Sequence, residues 1–282
     1  MINISEDFPG YNTIKPMIES IKSNGIILEK DPEYIDAQIG LADSYFALWC
    51  YGIITYAEAI EEVKAVESIV LKLNGNLPDA HTLTALIKWS EWNWEGAERA
   101  FKFAIEFDPN SAKANHWYAL YLAAMGQFKK SIVLSKKAVE LEPTPGYRIG
   151  LGSMYYFAHD FETLKIEMKE LISENPDFAQ AYDWLGMAYI LLEDFDKSIE
   201  VYEKAVNLSG RLAEILGGLG HAYGIAGRKG LGENDKVFEM LERAFKERSW
   251  ELIFMREEPW FDYLREDHRF KEFVSRLKFP NM

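Results

Sequence analysis

Residues 179–210 read AQAYDWLGMAYILLEDFDKSIEVYEKAVNLSG. Tyr182, Leu185, Gly186 and Tyr189 recur at helical spacing along one face of a first stretch, and Ser198, Tyr202 and Ala205 do so along a second. An acidic turn separates the two, so the segment predicts a helix-turn-helix unit. Large residues sit opposite small ones, and Gly186 leaves room for the bulk of a neighbouring side chain.

The unit recurs along the chain. Asp31-Pro32, Asn74-Gly75, Asp108-Pro109, Glu142-Pro143, Asn175-Pro176 and Ser209-Gly210 end successive amphipathic stretches, and from Gly75 onward the steps between their second residues are 34, 34, 33 and 34. A fixed period of this size is the signature of a stacked repeat, in which each unit covers the apolar face of the next. The first full copy opens at Ile35 and runs 43 residues. Its surplus is expected in a longer turn around residues 50–56. A final copy begins with Leu219, Gly220, Tyr223 and Gly227, and its second helix resumes at Val237.

The order of residues in these copies resembles the tetratricopeptide repeat. The copy at Ala114, Tyr118, Ala119, Leu122, Gly126, Ala138 and Pro143 follows the same order, as does Leu151, Gly152, Tyr155, Leu164, Met168, Leu171 and Pro176. Residues 40–45 (GLADSY), residues 92–98 (WNWEGAE) and the tail from Leu241 through Pro259, Phe261, Leu264, Arg265 and Phe270 resemble a bacterial and archaeal subfamily. Its arrays are attached to winged-helix activators, Ser/Thr kinases or nucleotide cyclases. The resemblance implies an all-α, tetratricopeptide-type helical solenoid, a right-handed superhelix of antiparallel helix pairs. Residues 1–34 are expected to be an N-terminal helical segment, 35–248 an array of about six repeats, and 249–282 C-terminal capping helices that cover the last repeat.

Composition narrows the function. With 45 acidic and 31 basic residues the formal charge is −14, which repels nucleic-acid backbones and anionic membranes. The basic runs, such as Lys129-Lys130, are short. Cys50 is the only cysteine, so no internal disulfide can form and the cytoplasm is the expected compartment. The first nine residues lack the basic start and apolar run of a secretion signal. His81, His116, His159, His221 and His268 show no zinc-ligand spacing, and the glycines of residues 217–232 follow no strand and precede no Gly-Lys-Ser/Thr. No enzyme activity, cofactor or metal is expected.

What the family resemblance implies about binding is positional. The second, fifth, ninth and twelfth residues of each first helix face the concave side of such an array. Here they supply a peptide-binding groove of Asp43, Phe46, Leu86, Trp89, His116, Leu120, Tyr156, Asp183, Met187 and His221, with Lys113 beside them. The cationic set that clamps chaperone C-terminal carboxylates is not reproduced. The expected function is a non-catalytic interaction scaffold that takes a protein or peptide segment, or the chain's own N-terminal segment, in this groove. A sensory module that binds a small ligand and signals to a separate effector is the alternative. No nucleic acid and no membrane is expected as partner, while self-association stays open.

Overall fold

The computed structural model describes residues 11–209 and 250–280, together with 215, 218, 219, 222, 238, 241, 242, 245 and 246. Among these residues the elements are α-helices and two short 3-10 turns, with no strand. The helices are α1 (Tyr11–Lys30), α2 (Ile35–Cys50), α3 (Tyr56–Leu73), α4 (Pro78–Ser90), α5 (Trp94–Phe107), α6 (Ala112–Ala124), α7 (Phe128–Leu141), α8 (Pro145–Phe157), α9 (Phe161–Glu174), α10 (Ala179–Leu191) and α11 (Phe195–Ser209). The 3-10 turns η1 (Trp250–Phe254) and η2 (Pro259–Leu264) precede a last helix, α12 (His268–Arg276). The glycine-bearing segment 220–232, apart from Ala222, lies outside the described residues.

The chain forms two compact units. The larger comprises residues 17–141 and 233–282, and the smaller residues 1–16 and 142–232. Within the larger unit α2 pairs with α3, α4 with α5 and α6 with α7; within the smaller, α8 pairs with α9 and α10 with α11. These are the helix-turn-helix repeats that the period predicts.

Local chemistry sets each turn. In these five pairs the second residue after the first helix is left-handed: Gly52 (φ 64°), Trp92 (61°), Gly126 (70°), His159 (58°) and Glu193 (59°). The next amide then reaches back to a carbonyl of the helix just ended, as in Asn93 N to Lys88 O at 2.8 Å and Asp160 N to Tyr155 O at 2.9 Å. Asn93 and Asp160 also cap the second helix, accepting from the amides of Gly96 and Thr163. One residue thus closes one helix and opens the next.

The first copy departs from the expected long turn. Its α2 has 16 residues against 13 in α4, its α3 has 18 against 14 in α5, and residues 51–55 replace the usual three-residue turn. Most of the surplus therefore lengthens the two helices, which adds backbone hydrogen bonds that a loop would leave to water. Thr55 and Glu58 form a reciprocal capping box at the start of the lengthened α3.

Packing inside the repeats follows the large-against-small reading. A Cβ on Gly186 would stand 2.5 Å from the Tyr202 ring, and one on Gly218 would stand 2.4 Å from its other side. Tyr202 is fully buried between these two glycines. In the preceding repeat Gly152 admits Met168 in the same way, its virtual Cβ lying 2.7 Å from Cε.

Candidate functional site

The first helices carry the candidate groove. They are buried on more than one side because each packs on its own partner and also faces the next repeat; α4 buries Ala80, Leu83, Leu86, Ile87 and Trp89, whereas α5 buries a single stripe through Ala97, Phe101 and Ala104. In the larger unit each aromatic candidate packs against neighbouring rings. Phe46 packs edge-on to Trp49 at 5.1 Å and to Trp117 at 5.5 Å, and Trp89 packs edge-on to Tyr121 at 5.7 Å. Asp43, His116 and Leu120 are half-buried, while Phe46, Leu86 and Trp89 are at most 1% exposed.

A charge cluster joins the three first helices. Lys113 Nζ of α6 donates to Asp43 Oδ2 of α2 at 2.6 Å and lies 3.3 Å from Asp79 Oδ1 of α4. Burial works against the ammonium charge, but the two carboxylates outweigh it and hold the lysine pKa above its ordinary value. Nearly one turn further along α6, burial alone pushes the His116 imidazole down to about 4, so it is neutral at pH 7. The Tyr121 hydroxyl, raised by burial, donates to Trp94 O at 3.0 Å.

What covers this face is the chain's own C-terminal segment. The turn η1 packs on α2, α4 and α6 together. Phe254 meets Trp89 edge-on at 5.7 Å, and Leu252, Ile253 and Met255 are all buried. Arg256 then donates to Ala124 O at the end of α6, at 3.4 Å, and to Pro280 O at 3.2 Å, with its guanidinium over the Phe279 ring. Phe279 in turn stacks on Trp94 at 4.5 Å, and Trp94 Nε1 donates to Leu277 O at 3.0 Å. Leu252, Met255, Leu264, Phe270, Phe273 and Leu277 close a core with Leu241.

Sequence reasoning did not place this segment on the first helices. Its signal was the run Leu252-Ile253-Phe254-Met255, apolar without a helical period and ended by a cation. In the smaller unit Tyr156 is 2% exposed and meets Trp184 edge-on at 5.4 Å, Asp183 is buried and Met187 is half-buried. His221 lies outside the described residues. The outer side of α5 bears Phe103 and Phe107, 51% and 46% exposed, both stacked on His81. Among the described residues no group of His, Cys, Asp or Glu could hold a metal ion, and no helix is long and apolar enough to cross a membrane.

Comparison with known proteins agrees with this geometry. The sequence profile of the tetratricopeptide repeat matches residues 112–145 and 179–211, which are α6–α7 and α10–α11. A curated relative, the BBSome complex member BBS4 of Bos taurus, is 27% identical over 226 residues; the match covers 79% of this chain and 41% of the relative, so this chain spans less than half of that protein. A chain of the APC/C hetero-tetramer Cut9-Hcn1 superposes with a TM-score of 0.65 at 14% identity, covering 94% of this chain and 54% of that one. The tetratricopeptide protein TTC0263 of Thermus thermophilus gives a TM-score of 0.56 at 14% identity over 67% of this chain and 98% of its own. A human IFIT1 dimer with PPP-AAAA gives 0.56 at 15% identity, over 94% and 68%. At such identities these solved structures establish the fold alone. The chain thus carries tetratricopeptide repeats at residues 112–145 and 179–211, and α2–α3, α4–α5 and α8–α9 are paired in the same way.

Proposed function

We propose that this chain is a non-catalytic scaffold that holds a protein or peptide segment along the faces of its first helices. The observation that carries the reading is the seat of η1: the face of α2, α4 and α6 accommodates a short apolar element, with Phe254 set against Trp89. Aromatic side chains flanked by small residues are what an interface uses as anchors. The curated relative points the same way, since BBS4 is a member of a multiprotein complex. In this reading residues 35–248 form the array and 249–282 cover part of it. The lining consists of Asp43, Phe46, Leu86, Trp89, His116 and Leu120 in the larger unit, and Tyr156, Asp183 and Met187 in the smaller. His221 extends that set by sequence position alone.

The test uses a protein partner isolated on the full chain and then purified. Calorimetry compares the wild type with Leu120→Ala and Met187→Ala at low and high salt. These positions are half-buried, so truncation leaves the fold in place while trimming the lining. Loss of about 1–2 kcal/mol in at least one variant, with mild salt dependence, is expected. Unchanged affinity in both, with binding that collapses in salt, would put the partner on another surface.

A further inference from the structure

The segment that covers the larger unit's first helices is tied to them in a way that differs from the repeats. Each repeat is closed by its own second helix, so the pairs α2–α3, α4–α5 and α6–α7 are built without residues of the tail. Among the described residues no backbone–backbone hydrogen bond joins 250–280 to α2–α7. The attachments are apolar contacts and bonds that pair a side chain with a main-chain carbonyl: Phe254 on Trp89, Arg256 to Ala124 O, and Trp94 Nε1 to Leu277 O. At the end of α6 the carbonyls of Tyr121, Leu122 and Ala123 accept from amides of the turn, and Ala124 O takes the guanidinium, a place where the helix dipole also favours a cation. Beside it Glu257 packs at the turn of Gly126, whose virtual Cβ would stand 3.2 Å from the carboxylate. Within the run Leu252-Ile253-Phe254-Met255-Arg256-Glu257 the tenant sets the Phe254 ring and, two residues later, the Arg256 cation on this face, while Leu252 and Met255 join the tail's own core.

We propose that this face is a peptide site held closed in cis by residues 250–258, and that a partner segment with the same apolar-then-arginine pattern opens it by displacement. The proposal rests on the scaffold reading and adds its regulation. A tethered segment has an effective concentration of about millimolar, so a free competitor of equal contacts loses to it. Access is gained by a tighter partner, or by whatever loosens the tail. Short 3-10 turns with few main-chain bonds belong to the parts of a protein that open without global unfolding.

Two measurements test this on the full chain. In the first, a fluorescein-labelled peptide of residues 249–258, with a photo-crosslinking phenylalanine analogue in place of Phe254, is titrated into the wild type and into a Phe254→Ala/Arg256→Ala variant whose helicity is checked. The variant is expected to bind the peptide about tenfold more tightly or better, with crosslinks on α2, α4 or α6. Equal or absent binding to a folded variant, or crosslinks elsewhere, would overturn the proposal. In the second, hydrogen exchange is followed in the wild type, so that it stands even if the variant does not fold. The amides of Met255 and Glu257, bonded to the carbonyls of Leu252 and Phe254, should exchange well ahead of the amides in α4. Protection equal to that of α4 means the segment opens only on global unfolding, and the proposal fails. If a purified protein partner binds both proteins alike, the cis-closure idea fails while the scaffold reading stands.

Discussion

At the scale of single residues, three glycines should respond to alanine in different directions. Gly186 has the Tyr202 ring 2.5 Å from its virtual Cβ, and Gly218 blocks the ring from retreating; Gly186→Ala should cost about 1–3 kcal/mol. Gly126 holds φ 70°, so Gly126→Ala should cost about 1–2 kcal/mol from backbone conformation. Gly25, inside α1 with nothing within 4 Å, should gain about 0.5–1 kcal/mol as alanine. Urea denaturation of the three variants checks the ordering. A second residue-scale effect concerns pH. His116 has its folded pKa depressed to about 4 by burial, against 6.5 as the ordinary value. The unfolded chain therefore binds the proton more readily between these values, and the stabilising effect of keeping this ring neutral is lost as pH falls from above 6.5 toward 4. Between about pH 7 and about pH 5 the wild type should lose about 1–2 kcal/mol through this group. A His116→Gln variant should show a flatter profile over that window.

At the scale of elements, Lys113 links α2, α4 and α6 through Asp43 and Asp79, its one positive charge shared between two carboxylates on adjacent first helices. Lys113→Met leaves these acids facing one another and should lower stability by about 1–3 kcal/mol. Adding Asp43→Asn to that variant should restore part of the loss, and a double-mutant cycle from thermal melts measures the coupling. The turns show how the repeat tolerates sequence variation: the left-handed position is held by Gly52 and Gly126 but also by Trp92, His159 and Glu193. The bonds back to the preceding helix and the Asn or Asp cap that follows specify the turn even without glycine.

At the scale of the molecule, the tail and the first helices of the larger unit share one apolar surface. Removing residues 249–282 would bare Trp89 and the core around Leu241 and strip away Leu252, Phe270, Phe273 and Leu277. A chain ending at Arg248 should melt lower and bind a hydrophobic dye, because an apolar face of this kind needs a cover. Supplying the 249–258 peptide should return part of the lost melting temperature by mass action, which calorimetric scans with and without peptide would read.

The sequence by itself determined the repeat and the helix pairs. Tyr182, Leu185, Gly186 and Tyr189 in one helix with Tyr202 in the next fix a face and a register, and the breakers fix the period. All of this is local, set by side-chain spacing and turn chemistry within a few tens of residues. Only the tertiary structure decided what covers the first helices of the larger unit. Arg256 meets Ala124 across 132 positions of the chain, Trp94 meets Leu277 across 183, and Lys113 meets Asp43 across 70. The apolar run at Leu252–Met255 reads the same whether it caps the end of an array or lies across first helices, because hydrophobic burial is non-directional and names no partner. The lengthening of α2 and α3 was hidden for a related reason: a surplus of residues in one period has the same length whether it is wound into helix or left in a turn.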